Sequence, residues 1–144
     1  MHTGFATVGN FGSADRLKYS AAGDVVNTTS RLEGANKFFG SRVMASRELV
    51  DAAGDRDWRP LAELIVKGRR TALAVVELLA PEVAAEAWVE AYRRAYALLE
   101  AGSRDAVAVL RALAEARPDD AVIRFHRARA EAGVLSVVVE LTDK

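Results

Sequence analysis

The chain has 144 residues, 51% of them hydrophobic, which is enough for one domain or a small domain with an appendage and too apolar for wholesale disorder. Twenty basic residues balance twenty acidic ones, which argues against a general nucleic-acid binder, since such a protein needs an excess of positive charge. There is no cysteine, so no disulfide framework or thiolate metal site is available, and a reducing, cytoplasmic setting suits the segment. Glu77, Glu82 and Glu86 interrupt the most hydrophobic region before it reaches membrane-spanning length, and no basic-then-apolar signal peptide opens the chain.

In chain order, short strands are expected over residues 4–9 and 16–21, flanking a Gly12-Ser-Ala-Asp15 turn. A strand this close to Met1 would need an earlier partner, so the chain reads as an N-terminally truncated piece. Asp24 is a plausible N-cap for a helix whose apolar positions Val25, Val26, Leu32 and Ala35 face inward and which stops near Phe39-Gly40. A short strand follows over 42–45. Ser46 then caps a helix with Leu49 and Val50 inward, Glu48 outward and Gly54 at its end. Residues 59–66 and 71–79 predict a hairpin joined through Lys67-Gly-Arg-Arg70, which Pro81 closes.

From Glu82 to about Ala132 the chain becomes alanine-rich and charged, with helical spacing. Trp88, Tyr92, Ala95 and Leu99 form one stripe, and Ala106, Leu110, Leu113 and Ala114 another. Gly102 separates these two helices, Pro118-Asp-Asp120 starts a third, and residues 134–141 return to strand-like composition. The expected division is therefore 1–80 and 81–144.

Asn27 and Arg31 stand one turn apart on the same helix face, near its positive end. An amide that can fix a sugar oxygen beside a guanidinium that can neutralise phosphate suits nucleotide chemistry. Outside any wider context such a pair is ordinarily just a solvated helix face.

Four pieces supply that context: His-Thr-Gly-x-x-x-x-Gly-Asn over 2–10, Gly-Ser-x-Asp-Arg-Leu-x-Tyr over 12–19, Gly-Asp-x-Val-Asn-x-x-x-Arg-Leu-Glu over 23–33, and Val-Lys-Gly-Arg over 66–69. In this order and at these intervals, residues 2–79 resemble the C-terminal half of a class III adenylate/guanylate cyclase catalytic domain. The resemblance implies an α+β fold, part of a ferredoxin-like sheet with helices covering one side, followed by the C-terminal α-helical extension. It also implies that two catalytic domains, a homodimer or a second cyclase domain, pair head to tail with ATP bound between them. The ribose 3′-hydroxyl then attacks the α-phosphate and pyrophosphate leaves. Asn27 matches the residue that orients the ribose, and Arg31 the one that stabilises charge on the α-phosphate, a role suited to a permanently charged fork of donors. Lys67 matches a lysine that contacts the triphosphate, although a turn rich in Lys, Gly and Arg is also an ordinary solvated loop. Ser20 stands at a base-reading position where many relatives carry aspartate and others threonine. Its hydroxyl keeps ATP the favoured substrate, and it could equally satisfy a neighbouring backbone group.

One departure is larger. The family's metal-binding aspartates, which hold Mg²⁺ or Mn²⁺, lie in the N-terminal half of the domain, as does its adenine-reading lysine. Asp15 reads as a turn residue and Asp24 as a cap, so no metal ligand is assigned and the chain alone is expected to be inactive. In many relatives sensory or membrane-spanning regions precede the catalytic domain.

The remaining signals read as structure. His2 and His126 have no partner pattern for metal or acid–base work. Arg124-Phe-His-Arg-Ala-Arg129 reads as a solvated face, with Glu131 placed to pair with Arg127, and no nucleic-acid partner is expected. Ala106, Leu110, Leu113 and Pro118 fall at the spacing of the second helix of a tetratricopeptide repeat, so the tail resembles that unit in part and could serve a protein partner. The alternative to an enzyme is a non-catalytic dimerisation or protein-binding module derived from a cyclase. Kinase or phosphatase activity has no supporting motif.

Overall fold

The computed structural model describes residues 35–65, apart from 37, and residues 72–140. The first described residues are helical at Ala35, Asn36, Phe38 and Phe39 and stop at Gly40, which takes a left-handed conformation (φ 68°). Then come β1 (Met44–Ser46), α1 (Arg47–Ala53), β2 (Trp58–Ile65) and β3 (Leu73–Leu78). The tail supplies α2 (Pro81–Ala84), α3 (Ala87–Glu100), α4 (Asp105–Ala116), α5 (Ala121–Glu131) and β4 (Val138–Glu140). The result is a mixed α+β arrangement around a four-stranded sheet of order β1-β3-β2-β4.

Local sequence sets most of these limits. Ser46 caps α1 by accepting a bond from Leu49 N, and Gly54 ends it at φ 70°, where a side chain would be strained. Asp120 caps α5 by accepting from Val122 N and Ile123 N. Pro81 opens α2 at a position where a missing N–H costs nothing. The strand expected over 42–45 forms two residues later in part, as Met44–Ser46, so Ser46 both closes the strand and caps the helix.

β3 pairs antiparallel with β1 and with β2, whereas β4 runs parallel to β2. Alternation assigns the faces. Met44, Val75, Leu64 and Leu73 are buried with the tail helices, whereas Ala45, Val50 and Val76 form a separate apolar cluster under α1, joined by Trp58 and Leu78. Helices therefore cover both faces, not one as expected from the sequence. The short α1 covers the second face, where its Val50 packs against residues one position out of phase with the main core.

The main core crosses Pro81 without a break. Ala35, Phe39, Leu61 and Leu64 share one cluster with Tyr92, Ala95, Leu99, Leu110, Leu113, Ile123 and Val139. In α3 the buried stripe is Val89, Tyr92, Ala95, Tyr96 and Leu99; Trp88 is only half-buried, displaced toward the edge by Val89. Phe125 and His126 of α5 also point inward, so only part of the 124–129 cluster is a solvated face. Phe125 meets Phe39 edge-on at 4.9 Å between ring centres, and His126 is 1% exposed. Arg127 does pair with Glu131, at 3.1 Å.

The helical end at 35–40 seats directly on α5. A Cβ at Gly40 would lie 2.8 Å from Ala121 Cβ, and the left-handed backbone adds its own cost. Gly40→Ala is expected to destabilise the protein by roughly 2 kcal/mol or more, read as a lowered urea midpoint at unchanged slope.

His126 Nε2 lies 2.8 Å from Leu61 O and so carries the proton, while Nδ1 is buried without a partner among the described residues. Burial pushes the imidazole down to about 4; the bond to Leu61 O opposes this, and Arg129 and Arg59 add to it. The facing rings of Tyr92, Tyr96 and Phe125 offer no anion. The unfolded chain takes up this proton near 6.5 and the folded one only near 4, so stability is full above 6.5 and falls as pH drops between those values. A loss of roughly 3 kcal/mol over that window is expected, and His126→Gln should flatten it in urea unfolding measured at several pH values.

Candidate functional site

Ser20, Asn27, Arg31 and Lys67 all lie outside the described residues, and so does His2. The described residues are the supports on either side of them in sequence: the helical residues 35, 36, 38 and 39, and β2 and β3, whose connection contains Lys67. Both supports are tied to the tail.

The tie on β2 begins with an irregularity. Pro60 pairs with Val76 and Ala62 with Val75, leaving Leu61 as the extra residue of a bulge. Proline has no N–H to give the ladder, which suits it to such a place. The two carbonyls at the bulge are taken by tail side chains: Tyr92 OH donates to Pro60 O, and His126 Nε2–H to Leu61 O. Burial raises the Tyr92 phenol well above its usual range, partly offset by Arg59, so it remains a donor.

Next to the bulge, Arg59 carries its charge inside the protein at 5% exposure. Its Nε donates to Glu77 Oε2 on β3 at 2.6 Å, and Nη1 and Nη2 donate to the two oxygens of Asp120 at 2.9 and 3.2 Å. The other oxygen of Glu77 accepts from Arg42 N at 3.0 Å. Trp88 and Tyr92 lie over the guanidinium at 5.3 and 5.0 Å, and Arg117 stacks on Trp88 at 3.8 Å. Burial would lower the Arg59 pKa, but Glu77, Tyr92 and Asp120 outweigh it and hold the group charged. For Asp120 burial favours the neutral acid, and the hydrogen bonds and charge of Arg59 reverse this, keeping the carboxyl below its usual range. Asp120 thus caps α5 and neutralises a cation on the sheet.

This cluster was not read from the sequence. In the sequence Arg59 only opens the strand expected over 59–66, and Asp120 only belongs to the Pro118-Asp-Asp120 start of a helix. The signal available was a charged residue on the core side of the strand, and it becomes legible only once the bulge sets the phase. The described residues contain no group of three or more His, Asp or Glu that could hold a metal ion. None of the described helices is long and apolar enough to cross a membrane.

Against known proteins, 80 residues of the chain, 55% of its length, are 48% identical to adenylate cyclase 1 of Rhizobium meliloti (strain 1021). The matched region covers only 12% of that protein. No family model matches the chain, and no solved structure matches it. The chain therefore contains a region related in sequence to a cyclase, within a mixed α+β structure.

Asp120→Ser keeps a capping oxygen and leaves Arg59 paired with Glu77 through Nε, but it takes the acceptors from Nη1 and Nη2, and a loss of roughly 2–3 kcal/mol is expected. Replacing the whole group with Arg59→Met, Glu77→Leu and Asp120→Ser should recover much of that loss in urea unfolding.

Proposed function

We propose that residues 1–80 are the part of a class III adenylate cyclase-type domain that handles the ribose and the α-phosphate of ATP, with 81–144 as its helical tail. The observation that carries this reading is the 48% identity over 80 residues to an adenylate cyclase. It agrees with four ordered motifs that end in Gly-Asp-Val-Val-Asn-Thr-Thr-Ser-Arg and Val-Lys-Gly-Arg. In this reading the antiparallel order β1-β3-β2 belongs to a ferredoxin-like sheet. Asn27 orients the ribose, Arg31 neutralises the α-phosphate as it becomes five-coordinate, Lys67 meets the triphosphate, and Ser20 faces the base.

The metal-binding carboxylates are proposed to come from outside residues 1–144, and Mg²⁺ or Mn²⁺ belongs to the assembled enzyme. The site is completed by a second cyclase domain, either another copy or a related chain. The tetratricopeptide-like character of the tail is part of the same proposal, and its free surface is available to a protein partner.

Purified chain incubated with ATP and Mg²⁺ or Mn²⁺ should give no cyclic AMP above background; clear turnover would overturn the proposed division of the site. Co-expression with a cyclase segment bearing the metal-binding carboxylates should restore turnover, and Asn27→Ala or Arg31→Ala should then lower it by about a hundredfold or more. Stable association of the two chains without restored turnover would favour the non-catalytic module.

A further inference from the structure

A cavity of about 170 Å³ lies against β2 and β3, bounded by α3 and by Arg47 at the start of α1. It is about half the lower size of a drug-sized ligand pocket, so it suits a small molecule. Its charges are segregated. Arg93, Tyr96 and Glu100 occupy one face of α3 at i, i+3 and i+7, which places Arg93 and Glu100 about 10 Å apart along the axis with Tyr96 between them.

At one end, Arg47 and Arg93 hold their guanidinium groups 4.5 and 5.6 Å from the Trp58 ring centre. Arg93 is fixed there by donating to the Trp58 and Arg56 carbonyls. At the other end are Glu63 of β2 and Glu100, the last residue of α3, where the helix dipole also favours a cation. Neither carboxylate forms an ion pair among the described residues.

Tyr96 is 7% exposed and lines this cavity. Burial raises the phenol above its usual range, with Glu100 and Glu63 adding to the rise and Arg47 opposing it. All three charges therefore act on that hydroxyl.

We propose that this cavity binds a small zwitterion whose ammonium and carboxylate stand at opposite ends of a short apolar chain, as in an ω-amino acid. The ammonium sits between Glu63 and Glu100, the carboxylate meets Arg47 and Arg93, the methylenes cross Pro60 and Val76, and Tyr96 supplies a hydroxyl between the ends. Two cations and two anions line the space, so a purely cationic or purely anionic ligand gains at one end and is repelled at the other. Allowing a hydrogen-bonded approach of about 3 Å at each end leaves roughly 4–5 Å between the ligand's charges, a span of about two to three methylenes. The site does not depend on the cyclase reading.

The test titrates the full chain with ω-amino acids from glycine to 6-aminohexanoate, following the Trp58 indole N–H resonance. Saturable binding is expected, strongest for 3-aminopropanoate and 4-aminobutanoate, with n-butylamine and butanoate at least about tenfold weaker, equivalent to about 1.4 kcal/mol. Glu100→Gln, an exposed and conservative change, should weaken binding at least about fivefold without altering the fold, and Tyr96→Phe should do the same. No saturable shift at any chain length would overturn the proposal, as would unchanged affinity in folded Glu100→Gln.

Discussion

The structure depends on burying one guanidinium. Arg59 stands where β2, β3 and the N-terminus of α5 converge, and it is stable there only because all three supply something. Glu77 and Asp120 neutralise it, Trp88 and Tyr92 cover it, and Arg42 N takes the Glu77 oxygen that Arg59 leaves free. A cation in this position pays several kcal/mol in lost hydration, so the gain over an apolar residue of the same volume is small or negative. What the cluster supplies is discrimination. A one-residue slip of β2 would turn Arg59 onto the face where Ala45, Val50 and Val76 form an apolar cluster.

The bulge makes that discrimination compatible with a core. In an unbroken strand Arg59 and Leu64 would point to opposite faces, because they are an odd number of residues apart. The extra residue at Leu61 restores the phase, so that Arg59, Ala62 and Leu64 all face the tail helices. The same irregularity leaves the Pro60 and Leu61 carbonyls to be satisfied by Tyr92 and His126. Sheet and tail are thus joined by polar groups that each would leave unsatisfied without the other.

Much of this was legible in the sequence, and the failures share one cause. Ser46, Gly54 and Asp120 mark helix ends through local chemistry, and Gly102 separates two helices as its spacing implied. The hairpin strands are found within two residues of their expected limits. What escaped depends on partners far along the chain. Val139 joins β2 from the far end of the tail, and Asp120 reaches Arg59 across 61 positions. His126 read correctly as a structural histidine, yet its neighbours Arg124 and Arg127 concealed that it faces inward. For the proposed nucleotide site the position differs: Asn27, Arg31, Ser20 and Lys67 are legible only through the cyclase-like motifs, and they lie outside the described residues.

The tail bears on that site through its two supports. Gly40 and Phe39 rest on α5 at Ala121 and Phe125, and the same helix holds β2 through Asp120 and His126. One tail helix therefore contacts both the residues that follow the Asn27–Arg31 motif and the strand that leads toward Lys67. If those motif residues act on one nucleotide, their relative placement depends on how α5 packs, because each is attached to a support that α5 fixes. Apolar contacts alone would allow such a helix to slide or rotate with modest loss. A bidentate carboxylate on Arg59 and a directional bond from His126 to Leu61 O do not, since small displacements break both. The polar ties are thus placed where loss of alignment, rather than loss of burial, would be the costlier failure.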